Sequence, residues 1–325
     1  MLNLKRHSRI LLAWSVVGVA AALAITPARA APYSVVSVSY PGDPAFTQLL
    51  GINNAGLIAG FHGALVSQGF TLTLPGTFTT ENFPGAAQTM VTAVNGNGNT
   101  AGIFVDAAGV THGFKNTGGI FLTVDRPNTA FNQALGINNG GTTVGYSSTN
   151  AGGQVLQLAY SQSNGVFTDI NGLLPVNMNS QAVGINNANS IVGFYMPTST
   201  TSIGFLDIGN TISTIDPFGS SFTQALGING SGEIVGFYTD AAGFQHGYTD
   251  IGGTFATFDP SGSTSTTING VNDLGQLVGF YTSADHVVGF VATPTAAVPE
   301  PATISLFAVG LLVSAAYRRA TRSAA

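Results

Sequence analysis

"GINGSGEIVGFY" occupies Gly227–Tyr238, and the chain repeats it. Close copies are "GINNAGLIAGF" (Gly51–Phe61), "GINNGGTTVGY" (Gly136–Tyr146), "GINNANSIVGFY" (Gly184–Tyr195) and "GVNDLGQLVGFY" (Gly270–Tyr281); a looser one is "AVNGNGNTAGIF" (Ala93–Phe104). The third residue of each phrase is a marker: Asn53, Asn95, Asn138, Asn186, Asn229 and Asn272, at intervals of 42, 43, 48, 43 and 43. A period in the low forties, with Gly, Asn and Asp turns between segments of alternating polarity, is that of a four-stranded propeller blade. In the fifth copy the strands read "SFTQALGIN", "EIVGFY", "FQHGYTD" and "TFATFD". No segment between the termini has a helical period.

Three residues after each marker stand Gly56, Gly98, Gly141, Asn189, Gly232 and Gly275. Five glycines and one asparagine predict a hairpin residue with positive φ, because Gly adopts it freely and Asn is the next most tolerant. Along "TQALGIN", strict alternation puts Thr223, Ala225, Gly227 and Asn229 on one face and Gln224, Leu226 and Ile228 on the other. We expect the bulkier face to nest on the small face of the next blade. Gly60, Gly102, Gly145, Gly193, Gly236 and Gly279 in the second strand predict close approach between blades.

The last copy lacks a fourth strand, while "YSVVSVSYPGDPAFTQ" (Tyr33–Gln48) precedes the first phrase and matches that missing element. The N-terminal strand would therefore complete the last blade and remove the exposed sheet edges. The expected fold is all-β: one six-bladed propeller over residues 32–293. The alternative is an open β-solenoid, which needs caps rather than complementation. The longer interval marks the fourth unit as irregular, with "TNAGGQVLQLAYSQSNGVFTDINGLLPVNMNSQ" as a loop insertion.

The two ends are addresses. Residues 1–30 have a basic start (Lys5, Arg6, Arg9), an apolar stretch and Ala28-Arg29-Ala30, which predicts a secretory signal cut between Ala30 and Ala31. After a linker at 294–297 come Pro299-Glu300-Pro301, an apolar run at 302–317 that we read as a transmembrane helix, and a basic tail at 318–325 opening on Arg318 and Arg319. This order resembles the PEP-CTERM sorting signal of Gram-negative bacteria. The resemblance implies an exosortase-type membrane protease as partner, transient residence in the inner membrane through the C-terminal helix, tail removal, and delivery to the cell surface or an exopolysaccharide matrix. The repeat itself, with "HGF" at His112-Gly113-Phe114 and "HGY" at His246-Gly247-Tyr248, resembles that of the HAF family of extracellular proteins. Gln68, Ile203 and Val288 depart from its His. That resemblance implies export and a repeated β-fold, and no named activity.

Charge and composition narrow the function. Between the two addresses lie thirteen acids against Lys115 and Arg126, a net of −11, which disfavours nucleic acid as a partner. The chain has no cysteine, so disulfides and thiolate chemistry are excluded. His62, His112, His246 and His286 show no metal spacing and read as structural. No G-x-S-x-G elbow, P-loop or dinucleotide fingerprint occurs, and no cofactor is expected. Asp106, Asp125, Asp216, Asp240, Asp259 and Asp285, with Glu81 near a matching place, fall in turns on one face of the expected ring. They form a candidate surface for a cation or ligand, set against ordinary turn chemistry. The marker asparagines would sit at the opposite mouth, each holding its own hairpin. Asp169 and Tyr160 are the only unusual polar additions of the irregular copy. The expectation is a non-catalytic surface or matrix protein that binds polysaccharide or serves as a scaffold; the alternative is a secreted glycan hydrolase or lyase.

Overall fold

The computed structural model describes residues 33–153, 156–175 and 178–295. Both expected addresses lie outside the described residues. These include Ala28, Ala30 and Ala31 at the N-terminus and Pro299, Glu300, Pro301, Arg318 and Arg319 at the C-terminus. Among the described residues no helix is long and apolar enough to cross a membrane.

Backbone pairing sorts the strands into four-stranded antiparallel units. Blade 1 comprises Thr47–Ile52, Leu57–His62, Gln68–Thr73 and Thr77–Thr80, and blade 2 Gln88–Val94, Thr100–Val105, Thr111–Thr117 and Ile120–Thr123. Blade 3 comprises Phe131–Ile137, Thr143–Ser148, Leu158–Ser163 and Val166–Asp169, and blade 4 Asn179–Ile185, Ile191–Thr198, Thr201–Ile208 and Thr211–Ile215. Blade 5 comprises Phe222–Ile228, Ile234–Thr239, Gln245–Ile251 and Thr254–Phe258. Blade 6 has Ser265–Val271, Leu277–Ser283 and His286–Pro294, and its fourth strand is Tyr33–Val38, paired antiparallel with Pro294 through Gly289. Blades 4 and 5 touch through one parallel bridge, Ser202 with Phe222. Among the described residues no sheet closes on itself. Blade 6 instead meets blade 1 directly: Asn272 Nδ2 donates to Asn53 O at 3.1 Å, and Asn269 Nδ2 donates to Leu49 O at 3.0 Å. An open solenoid would leave these groups apart.

Every first strand carries a β-bulge at the same place, between Leu49 and Gly51 in blade 1 and between Ala225 and Gly227 in blade 5. A bulge inserts one unpaired residue and re-aims its side chain. The expected face holds through Gln224 and Leu226, which both line the axial cavity rather than nest on the next blade, and breaks after the bulge, where Ile228 joins Ala225 in one buried cluster. The neighbouring glycine makes the contact between blades. A Cβ on Gly227 would meet Asn269 O at 2.7 Å and Gly270 Cα at 3.1 Å, and Gly270 stands in the same relation to Gly51. The second-strand glycines serve a different approach from the one expected. A Cβ on Gly236 would overlap the Gln224 carbonyl oxygen and meet the Tyr248 ring at 3.0 Å, both in its own blade. Phe70, Phe114, Tyr160, Phe205, Tyr248 and Phe290 lie on these glycines within their blades, and all are fully buried. Burying each such ring stabilises the fold by about 1.5–3 kcal/mol.

The insertion assigned to the fourth unit belongs to blade 3. It lengthens the link between Thr143–Ser148 and Leu158–Ser163 and adds the 3₁₀ turn Asn171–Leu173 before blade 4. The last strand runs to Pro294, one residue into the expected linker.

Candidate functional site

The marker asparagines form one closed circle of hydrogen bonds. Each Nδ2 donates to the backbone carbonyl of the next marker: Asn53 to Asn95 at 2.9 Å, Asn95 to Asn138 at 2.8 Å, Asn138 to Asn186 at 3.3 Å. Asn186 to Asn229, Asn229 to Asn272 and Asn272 to Asn53 follow, all at 3.1 Å. Each Oδ1 accepts backbone N–H groups of its own hairpin, as Asn53 does from Ala55 and Leu57, both at 3.0 Å. The residue three after each marker is left-handed: Gly56 (φ 79), Gly98 (78), Gly141 (75), Asn189 (61), Gly232 (86) and Gly275 (71). The amide thus serves its hairpin through the oxygen and the ring through the nitrogen. Only the first role is local enough to infer from one repeat. This circle closes one end of the axial channel, where a space of about 120 Å³ lies among the markers, the residues that follow them and the aliphatic residues that precede them.

At the other end the channel opens into a cavity of about 480 Å³. Its inner tier is the bulged residues Leu50, Thr92, Leu135, Val183, Leu226 and Asn269. Its outer tier includes Gln48, Gln181, Gln224 and Thr267, each five residues before a marker, with Gln245 and Ser265 beside them. Phe194, Phe237 and Phe280, from the second strands of blades 4, 5 and 6, complete one wall. Phe237 and Phe280 are partly exposed there, whereas Phe194 and the equivalent residues of blades 1, 2 and 3, Phe61, Ile103 and Tyr146, are buried, and burial pushes the Tyr146 hydroxyl up to about 12. Gln245 donates to Thr267 Oγ1 at 2.8 Å, and Gln181 donates to Gln157 Oε1 at 2.8 Å. The side-chain amides of Gln48 and Gln224 have no protein partner among the described residues and line the same cavity. No lining residue is titratable. These glutamines escaped the sequence reading. The available signal was their recurrence at Gln48, Gln133, Gln181 and Gln224.

The candidate acids lie at strand ends on the same side as this cavity, and they do not converge. Asp106 and Asp125 share His112, whose Nδ1 lies 2.6 Å from Asp125 Oδ2 and whose Nε2 lies 3.4 Å from Asp106 Oδ2. Asp259 and Asp240 share His246 in the same way, at 2.7 and 3.4 Å. Hydrogen bonding to Asp259 raises the His246 pKa. Asp106 and Asp240 also accept N–H groups of their own turns, and the bonds from Val110 and Phe244 lower their respective pKa values. Blade 1 holds a neutral version: Asn82 Nδ2 donates to Gln68 Oε1 at 2.6 Å, while Asn82 Oδ1 accepts from Gly69 N. Asn82, not Glu81, takes the aspartate slot. Glu81 instead accepts hydrogen bonds between blades from Thr100 and Asn116. Asp216 and Asp285 stand singly in their turns. Among the described residues no three His, Asp or Glu side chains gather as a metal set.

His62 stacks on Tyr40 with ring centroids 3.7 Å apart, and His286 starts the third strand of blade 6. Asp169 makes a bidentate pair with Arg126 at 2.6 and 3.0 Å across blades 2 and 3. Tyr160 donates its hydroxyl to Gln133 O at 3.0 Å. Neither belongs to the cavity.

Comparison with known proteins supports two of these features. Residues 297–320 match the PEP-CTERM protein-sorting motif. No curated protein matches the chain. Among solved structures, the gluconolactonase XC5397 from Xanthomonas campestris is similar at 10% identity, with a TM-score of 0.50, over 81% of this chain and 90% of its own. The β-propeller domain of the Trilobed protease from Pyrococcus furiosus matches at 11% identity, TM-score 0.48, over 81% and 88%. AofleA from Arthrobotrys oligospora matches at 12% identity, TM-score 0.47, over 79% and 86%. At such identities the likeness is one of fold alone. The chain is thus an all-β protein of propeller type with a PEP-CTERM motif at its C-terminus, the mark of an exported protein sorted by an exosortase.

Proposed function

We propose that this is a non-catalytic propeller of the cell surface or extracellular matrix that binds a neutral polysaccharide in its open axial cavity. The observation that carries the proposal is the character of that cavity. Gln48 and Gln224 bring unpartnered amides, Phe237 and Phe280 bring aromatic surface, and no acid or base lines the wall. Amides pair with hydroxyl groups, and phenyl faces pack on the C–H faces of sugar rings. A roomy pocket with a few polar groups and no charge suits an uncharged, hydroxyl-rich ligand. In this reading the signal at residues 1–30 is cut between Ala30 and Ala31, and the repeats belong with the HAF type. The exosortase-type protease removes the C-terminal tail, so the protein meets its polysaccharide outside the cell.

A glycan array probed with the labelled exported protein tests this. Binding to neutral glycans, weakened at least tenfold by Gln224→Leu or Phe237→Ala, is expected. Absence of any neutral-glycan binding, or binding indifferent to both substitutions, overturns it.

A second reading, a glycan hydrolase or lyase, draws on a smaller space of about 290 Å³ lined by His246, Asp259 and Ser263. Against it, the same His–Asp pairing recurs at His112 and Asp125, as a repeated structural bond would. Release of reducing ends from a bound polysaccharide would favour the enzyme.

A further inference from the structure

Where the chain leaves the propeller determines which end faces the membrane. Tyr33 opens the outer strand of blade 6 and Pro294 closes its third strand, and the two residues are register partners. Both therefore stand at the end of the ring that carries the marker hairpins: a Cβ on Gly275, in the hairpin of blade 6, would meet Pro294 at 3.2 Å. From Pro294 only residues 295–301 separate the ring from the apolar run at 302–317 within the matched sorting motif. Seven extended residues reach at most about 25 Å. While the sorting segment holds the chain, the hairpin end cannot move far from the bilayer.

The surfaces of the two ends differ in the matching sense. On the hairpin end, exposed aliphatic residues recur at the outer turns of successive blades: Ile120, Val166, Ile208 and Ile251, all at least 58% exposed. Its carboxylates are Asp207, Glu233, Asp250 and Asp273, with Glu81 held between blades by Thr100 and Asn116 and Lys115 on an adjoining strand. Burial raises the pKa of the first three, and Asp273 is tied to Gly230 N and Asn54 Nδ2. The cavity end carries Asp43, Asp106, Asp125, Asp169, Asp216, Asp240, Asp259 and Asp285, against Arg126 and the histidines. Its exposed apolar residues include Leu65, Val66, Phe218 and Phe244, the last two in turns that also hold Asp216 and Asp240. An anionic bilayer surface repels the cavity end more strongly than the hairpin end.

We propose that the hairpin end is a docking surface for the lipid bilayer, used while the chain is held by its C-terminal segment. The open cavity then points away from the membrane, toward the matrix. The proposal rests on sorting through the C-terminal segment and not on the saccharide reading.

The chain has no cysteine, so single labels are available without altering a native thiol. Full-length Ile251→Cys, Ile208→Cys and Leu65→Cys, each carrying an NBD fluorophore, would be reconstituted into phosphatidylethanolamine–phosphatidylglycerol vesicles with spin-labelled headgroups. Position 65 is 92% exposed on the cavity end and serves as the opposite pole. Quenching at least threefold stronger at 251 and 208 than at 65 is the expected result. Equal quenching, or stronger quenching at 65, in chains that float with the vesicles overturns the orientation alone. Failure to float overturns membrane attachment and the docking surface together, and leaves the glycan-array result untouched.

Discussion

Asn95→Asp separates the two roles of the marker asparagine. Asn95 is 4% exposed. Its Oδ1 accepts from Asn97 N and Asn99 N, both at 3.0 Å, and its Nδ2 donates to Asn138 O at 2.8 Å. Aspartate preserves the first two bonds, since a carboxylate caps this turn as well as an amide does. It cannot preserve the third: an anionic oxygen would replace the donor and face a buried carbonyl. Losing that hydrogen bond and leaving the carbonyl without a partner costs about 1–3 kcal/mol, and carboxylate–carbonyl repulsion adds to it. Taking about 3 kcal/mol, and about 2–4 °C per kcal/mol for a domain of this size, the thermal midpoint should fall by roughly 10 °C. Asn95→Ala loses all three bonds and should fall at least as far. The pH dependence gives a further check. A carboxyl in this position is easier to protonate than in the unfolded chain, and the protonated form can donate to Asn138 O. The deficit of the Asp variant should therefore shrink as pH falls through that raised folded value and be smallest below about pH 4, whereas that of the Ala variant should not change. Calorimetry of the three proteins between pH 3.5 and 8 reads both effects. An Asp variant within 2 °C of the parent at pH 7 would refute the ring and leave the asparagine only its hairpin.

Three other outcomes follow from the geometry. Gly236→Ala should prevent folding, because its Cβ overlaps the Gln224 carbonyl, whereas Gly232→Ala, at φ 86 with nothing within 4 Å, should cost only about 1–2 kcal/mol; circular dichroism of the two variants distinguishes them. His246, its pKa raised by Asp259, should contribute stability that is complete below its unfolded value near pH 6.5 and lost as pH rises through its folded value. Asp240, its pKa lowered by its turn N–H groups, should contribute in the opposite direction, with stability lost on acidification. His246→Gln, which copies the Gln68–Asn82 pair of blade 1, should fold and remove the neutral-pH slope of the melting temperature. Deleting Tyr33–Val38 leaves the edge of His286–Pro294 unpaired, and size-exclusion chromatography should then show association through that edge.

What could be read from the chain alone was whatever one repeat decides within itself. The period, the four strands and the left-handed hairpin residue are local, because φ preferences and two-residue alternation act over a few positions. Asn189 in place of Gly was the clearest local sign, and its φ of 61 is a backbone property that needs no neighbour. The N-terminal strand was also legible, because a missing element in the last repeat and an extra one before the first are both visible as text.

What escaped the reading depends on groups about 43 residues apart. The donation from each marker to the next blade and the contact of Gly227 with Gly270 exist only once the chain has curved into a ring. The bulge decided the rest. One unpaired residue per inner strand shifts the register beyond Leu226, so that Ile228 joins Ala225 in one buried cluster instead of sharing the cavity face that strict alternation assigned to it. The sequence therefore specifies the blade and its sorting signal, whereas the uncharged cavity arises only where six inner strands meet around one axis.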